Sequence, residues 1–327
     1  MIRPYELQLL LPVKVARDVY SSTHDVWEIL SAAHQGDLVT VQNMARECPE
    51  LVYAQYNYTP PIYFAVREGH IELVQYLLQQ GAHDPAYTNY PFGDSLQTLA
   101  LDRGFTEIAE LLDEYAIDPS KQKFKGDNGE INYQRSVSQQ EFEDAVHTGD
   151  FICTEEILKI HPEYAADQTY FWGEGILTKP VQHRETALTE LLLRYGARVP
   201  DILKWTQAYY FKFYDSAAHI MKHGMNPNTM SWHGVTILHD MAQKGFIDKA
   251  GLLIQYGADL NPIDQEYHST PLGMASRWGH FEMVDYLIDQ GADVNLSGAS
   301  WSTPLAWAKT KGYPQIEQLL RDHGALR

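Results

Sequence analysis

Short runs of apolar residues at three- and four-residue spacing dominate the chain, and glycine ends each after two or three helical turns. In the clearest copy, Phe281, Val284, Leu287 and Ile288 fall on one face of a helix that Gly291 ends. Ahead of it stand Thr270-Pro271-Leu272-Gly273-Met274-Ala275 and then Gly279. This spacing predicts a first short helix. Thr270 caps its start, Pro271 takes the first helical position where a missing N–H costs nothing, and Gly279 supplies the left-handed exit. Thr303-Pro304-Leu305-Ala306-Trp307-Ala308 repeats the pattern 33 residues later, followed by Gly312 and Gly324. One unit earlier, Thr236-Ile237-Leu238-His239 leads to Gly245 and Gly257. Helices this short are unstable alone, so each unit must bury its apolar face against its neighbours.

Tyr56 to Ala86 carries the same pattern, with Pro60-Pro61-Ile62-Tyr63-Phe64-Ala65, Gly69-His70 and Gly81-Ala82. Tyr87 to Pro119 keeps Gly104 in register. Asp25 to Gln55 lacks the threonine–proline start, but its Gly36-Asp37 and Cys48-Pro49-Glu50 are echoed at Gly149-Asp150 and His161-Pro162-Glu163. That echo hints at an internal duplication. The pattern is poorest over 171–228: counting twelve back from Gly196 and Gly224 puts Arg184 and Lys212 where glycine belongs. There Pro180 falls inside an expected first helix, and Trp205 takes the leucine position. Asp118 to Ser138, with Lys121, Lys123, Lys125 and Gly126-Asp127-Asn128-Gly129, is polar and aperiodic. The expected organisation is an N-terminal extension or cap over 1–24 and repeats one to three over 25–118. A linker or insertion over 119–137, adding little to the core, precedes repeats four to nine over 138–327, with 171–228 degenerate.

The fixed period with its Thr-Pro-Leu motif and paired glycines resembles the ankyrin-repeat family over about residues 25–327, outside the central interruption. The resemblance implies an all-α solenoid of about nine helix-pair repeats, some degenerate, joined by short hairpin-like fingers. In that family the finger tips and first helices form a concave surface that typically binds other proteins. His239 matches the family's motif histidine, whose implied role is to bond backbone between neighbouring repeats.

Charge narrows the class of partner. Asp and Glu number 43 against 25 Lys and Arg, a net charge of −18. A phosphate-neutralising nucleic-acid surface is therefore not expected, and a basic protein segment is the favoured partner. Cys48 and Cys153 occupy unrelated positions and suggest neither a disulfide framework nor a metal site. Leu7 to Val15 is broken by Gln8, Pro12 and Lys14, too short for a membrane span and a poor leader, so a soluble cytoplasmic protein is expected. No phosphate loop or catalytic signature occurs, and the repeats leave too little chain for a catalytic domain. The expectation is a non-catalytic scaffold with no cofactor and no metal.

Rings recur just upstream of the Thr-Pro-Leu position, at the expected finger tips: Tyr58, Tyr90, Phe92, Phe171, Trp172, Trp232, His233, Tyr267, His268 and Trp301. Rigid aromatic side chains at exposed tips are what binding hot spots use, so these ten are the candidate partner-binding residues, with Trp172, Trp232 and Tyr267 nearest the middle of the second block. The alternative is that each ring packs on the next finger. Two further readings stay open. A small-molecule or carbohydrate site, even an enzyme's, would use a pocket at repeats five to eight, near Trp205 to Tyr214 and His233, Asp240, Glu266 and His268. A purely architectural subunit would instead bury patches against a copy of itself.

Overall fold

The computed structural model describes residues 1, 3–121 and 129–326; Lys123, Lys125 and Gly126-Asp127-Asn128 of the expected linker lie outside them. Two compact units emerge, Met1–Tyr133 and Gln134–Arg327.

A β-hairpin opens the first unit. β1 (Pro12–Ala16) pairs antiparallel with β2 (Val19–Ser22). Residues 129–132 run alongside β1: Lys14 N–H donates to the Glu130 carbonyl at 3.0 Å and Asn132 N–H to the Pro12 carbonyl at 2.9 Å. Ile131 bridges to Val13 and is buried. This piece of the polar interruption adds to the core, contrary to the expectation from sequence, because one apolar residue in a polar run carries no periodicity to read. Three helix pairs follow: α1 (Thr23–Gln35) with α2 (Leu38–Glu47), α3 (Pro61–Arg67) with α4 (Ile71–Gln79), and α5 (Leu96–Asp102) with α6 (Thr106–Ile117). The hairpin packs on the first repeat, where Leu7, Val13 and Val15 are buried.

The second unit begins with α7 (Val137–Thr148) and α8 (Phe151–Ile160), then a single turn, α9 (Tyr170–Gly173). Repeats five and six are α10 (Thr178–Gln182) with α11 (Thr186–Arg194), and α12 (Trp205–Tyr210) with α13 (Tyr214–Lys222). The regular repeats are α14 (Ile237–Lys244) with α15 (Ile247–Gln255), α16 (Pro271–Trp278) with α17 (Phe281–Asp289), and α18 (Pro304–Lys311) with α19 (Pro314–Asp322). The described residues thus hold nine helix pairs, an all-α repeat array apart from the hairpin. First helices stack on first helices (α14, α16, α18) and second on second (α13, α15, α17, α19), so each repeat is stabilised by its neighbours.

Local signals set the helix ends where the pattern is regular. The side chains of Thr236, Thr270 and Thr303 each accept a backbone N–H three residues on, and Gly245, Gly279 and Gly312 each take left-handed φ. A side chain of the next repeat sits against several of these glycines. A Cβ on Gly36 would lie 2.5 Å from the His70 ring, and one on Gly245 2.8 Å from the His280 ring. Nε2 of His70 donates to the His34 carbonyl at 3.0 Å, and Nε2 of His280 to the Gln243 carbonyl at 2.6 Å. Gly245→Ala is therefore expected to cost about 1–2 kcal/mol of left-handed strain plus about 1 kcal/mol for displacing that ring. Gly312→Ala, at φ 78 with nothing within 4 Å, should cost the strain alone. Urea unfolding of both variants tests the interlock, and equal losses would remove it.

The degenerate repeats replace the missing motifs with other chemistry. Pro180 sits in α10, which is only five residues long. Arg184 takes φ 62 in place of glycine, and its guanidinium lies over the Phe213 ring at 4.5 Å. In repeat six the N-cap is Lys204, ten positions before Tyr214, whereas eleven separate Thr236 from Ile247 and Thr270 from Phe281. Counting back from Gly224 therefore shifts the register by one. Trp205 occupies the first helical position, not the leucine position, and Thr206 is the fully buried residue next to it. Gln207 stands in for the motif histidine: Lys204 N–H donates to its Oε1 at 3.0 Å, as Thr236 N–H donates to His239 Nδ1 at 3.1 Å. Its Nε2 then donates to the carbonyls of Pro200 and Ile202. The buried Lys204 ammonium donates to the Gly173 carbonyl at 2.6 Å, so its charge is not left without a hydrogen bond.

Candidate functional site

The ten finger-tip candidates divide by burial. Tyr58 and Trp172 are 58% and 63% exposed. Tyr90, His268 and Trp301 are half-buried, the last two with rings nearly perpendicular at 6.0 Å. Phe92, Phe171, Trp232, His233 and Tyr267 are buried, so a continuous row of exposed rings does not form. The tips fold back on themselves, and Tyr267 shows how. The Asp264 carboxylate accepts N–H bonds from Glu266 (2.7 Å), Tyr267 (2.6 Å) and Ser269 (3.0 Å). That turn lodges Tyr267 edge-on to Trp278 and Trp307, at 5.9 and 6.2 Å, with the Arg277 guanidinium 4.4 Å from its ring. Trp232 packs beside His233 at 4.3 Å, and Phe171 beside His147 at 6.1 Å. An aspartate three residues before the ring was the available sequence signal for the back-folded tip.

The two exposed tips share an uncommon backbone. Asn57 and Tyr58 have φ of 45 and 61, and Tyr56 and Thr59 exchange both backbone hydrogen bonds across them. Phe171 and Trp172 have φ of 50 and 60. At Asn57-Tyr58 the two left-handed residues form the tight hairpin turn that asparagine and glycine normally occupy; at Phe171-Trp172 they interrupt the single turn α9. A non-glycine residue there pays roughly 1–2 kcal/mol. Tyr58 and Trp172 thus hold large rings outward at positions where glycine is easier to fold.

His239 is fully buried. Its Nδ1 accepts from Thr236 N–H and its Nε2 donates to the Ser269 carbonyl of the next repeat at 3.2 Å, the inter-repeat bond its motif implies. Burial, more than any neighbour, lowers its pKa. His233, Asp240 and Glu266 are buried but do not converge with His268 as a ligand set, and Asp240, raised chiefly by desolvation, pairs with Lys244 at 2.8 Å. Among the described residues one trio does converge: Glu190, His219 and His223. His219 and His223 are four apart, a helical spacing the sequence already carries. Two depressions lie in the first unit, one of about 40 Å³ by Tyr53, Pro60 and His83, and a wider one of about 410 Å³ by Gln75, Leu111 and Tyr115. Neither adjoins Trp205 to Tyr214, whose Tyr210 and Phe211 fill space in the core. No helix among the described residues is long and apolar enough to cross a membrane.

Comparison with known proteins agrees with this architecture. The family model for three-copy ankyrin repeats matches residues 205–298 and 238–326, and the single ankyrin-repeat model matches 58–90. The first of these begins inside the span that the sequence pattern marks as degenerate. Human transient receptor potential cation channel subfamily A member 1 is 21% identical over 95% of this chain and 31% of its own length. Rat palmitoyltransferase ZDHHC17 is 38% identical over 29% of the chain and 15% of its own. Ankyrin repeat protein nuc-2 of Neurospora crassa is 28% identical over 42% and 10%. The chain therefore spans less than a third of these relatives. Helix pairs stacked within each unit, capping threonines, left-handed glycines, the inter-repeat bond of His239 and these matches place the chain in the ankyrin-repeat family.

Proposed function

We propose that this ankyrin-repeat scaffold binds a basic segment of another protein, with Trp172 as the principal anchor of the second unit and Tyr58 that of the first. The observation that carries the reading is Trp172 itself: a ring 63% exposed, on backbone at φ 60, where glycine would fold at lower cost. Strain kept at an exposed ring is typical of positions retained for contact. The net charge of −18 supports a basic partner and contacts that weaken with salt. Catalysis is not part of this reading.

The test uses two variants of the full chain. Trp172→Gly removes the ring and relieves the backbone, so the unfolding midpoint should hold or rise. Trp172→Ala removes the ring and leaves the strain. A partner is captured on the parent chain, identified, purified and titrated by calorimetry at two salt concentrations. Both variants are expected to lose about 2 kcal/mol of binding, roughly 30-fold. Parent-like binding by Trp172→Gly would overturn the assignment.

A further inference from the structure

The regular repeats are tied by glycine, histidine and threonine; repeats five and six lack those ties and hold instead a set of potential metal ligands. Glu190 lies on α11, His219 on α13, and His223 caps the C-terminal end of α13. We propose that Glu190, His219 and His223 bind a borderline divalent transition cation of the Zn²⁺ class, which ties the second helices of repeats five and six together.

The argument rests on geometry and donor type. One ligand atom from each of the three side chains lies within 4.8 Å of the others. A tetrahedral ion with bonds of about 2.0–2.1 Å holds its ligands roughly 3.4 Å apart, so small side-chain adjustments close the site. The two histidines, one helical turn apart, set their rings 4.3 Å from each other. His223 Nδ1 is 3.0 Å from the His219 carbonyl. A carbonyl only accepts, so the proton is on Nδ1 and the lone pair on Nε2. A backbone bond of this kind fixes tautomer and ring direction in metal-ligating histidines. His219 Nε2 stands 3.3 Å from Glu190 Oε1 but makes no hydrogen bond with it, so the pair is close without being satisfied. Nearby, the 1%-exposed Tyr210 has a hydroxyl with no hydrogen-bond partner among the described residues, close enough to Glu190 to feel its charge. Two imidazoles and one carboxylate suit Zn²⁺, Co²⁺ or Ni²⁺ over the oxygen-seeking Mg²⁺ and Ca²⁺, and leave a coordination position for water. Lys222 beside the site opposes a cation, whereas the strongly acidic chain as a whole attracts one.

The experiment takes the full chain, stripped with a chelator and dialysed, and titrates it with Zn²⁺ by calorimetry and with Co²⁺ by visible absorption. One equivalent is expected to bind the parent. His223→Ala, at an exposed helix end, and the near-isosteric Glu190→Gln should each weaken it about tenfold or more. His24→Ala, which removes an exposed histidine that pairs with Glu28, should change nothing. Zn²⁺ should raise the parent's thermal midpoint and slow amide exchange in α11 and α13, and do neither in His223→Ala. Circular dichroism confirms that the variants remain folded. Unchanged affinity and stoichiometry in His223→Ala, or protection elsewhere in the chain, would mean adventitious binding by other histidines and would overturn the site.

Discussion

Trp232→Ala is expected to lower the unfolding free energy by about 3–5 kcal/mol, the usual cost of truncating a fully packed tryptophan. The ring is 4% exposed and lies against His233, itself 3% exposed, at the tip leading into α14. Its removal leaves a cavity in buried surroundings, since Val235 and Ile237 at the start of the regular repeats are buried too. Trp172→Ala is the internal control. Its ring is mostly in solvent, so its loss should move stability by no more than about 0.5 kcal/mol. Guanidinium unfolding of the two variants separates the roles: one ring maintains the fold, the other is presented to a partner. A Trp232→Ala protein that unfolds like the parent would return that residue to the binding surface.

Acid should destabilise the first unit well above the carboxylate range. His83 is 7% exposed, its Nδ1 has no hydrogen-bond partner among the described residues, and burial holds its pKa down to about 4 from an ordinary 6.5. In the unfolded chain the same imidazole takes a proton near pH 6.5. Between those values the unfolded state binds more protons than the folded one, so stability falls as pH falls. The contribution is complete above about pH 6.5 and lost by about pH 4, a difference on the order of 3 kcal/mol. His34 and His239, both lowered chiefly by burial, act in the same direction. Unfolding free energies measured from pH 7 to 4.5, above the main carboxylate titrations, should decline in the parent and decline less in His83→Gln. Identical slopes would show that His83 takes up its proton at the same pH in the folded and unfolded states, and would overturn the expectation.

Much of the fold was legible in the sequence because its signals are local. A threonine caps the N–H three residues on, a proline suits the next position, and a glycine permits the left-handed exit. Each relation spans a few residues and reads the same in every copy, as at Thr236, Thr270 and Thr303. Repeat six shows where that reading fails. One residue fewer between cap and second helix moved Trp205 off the leucine position, and only hydrogen bonding at Lys204 and Gln207 reveals the true register.

The chain by itself determined the period, the helix pairs, the acidic surface and the candidacy of the tip rings. Tertiary structure decided which of those rings face water. Tyr267 is buried because Trp278, Trp307 and Arg277, up to forty residues away, close around it. Ile131 became a strand partner of Val13 across more than a hundred residues. Glu190 met His219 and His223 only because α11 and α13 belong to adjacent repeats. Periodicity says that an apolar or aromatic residue will find a face; it does not say what covers that face, since the covering atoms come from another repeat and their fit depends on packing in three dimensions.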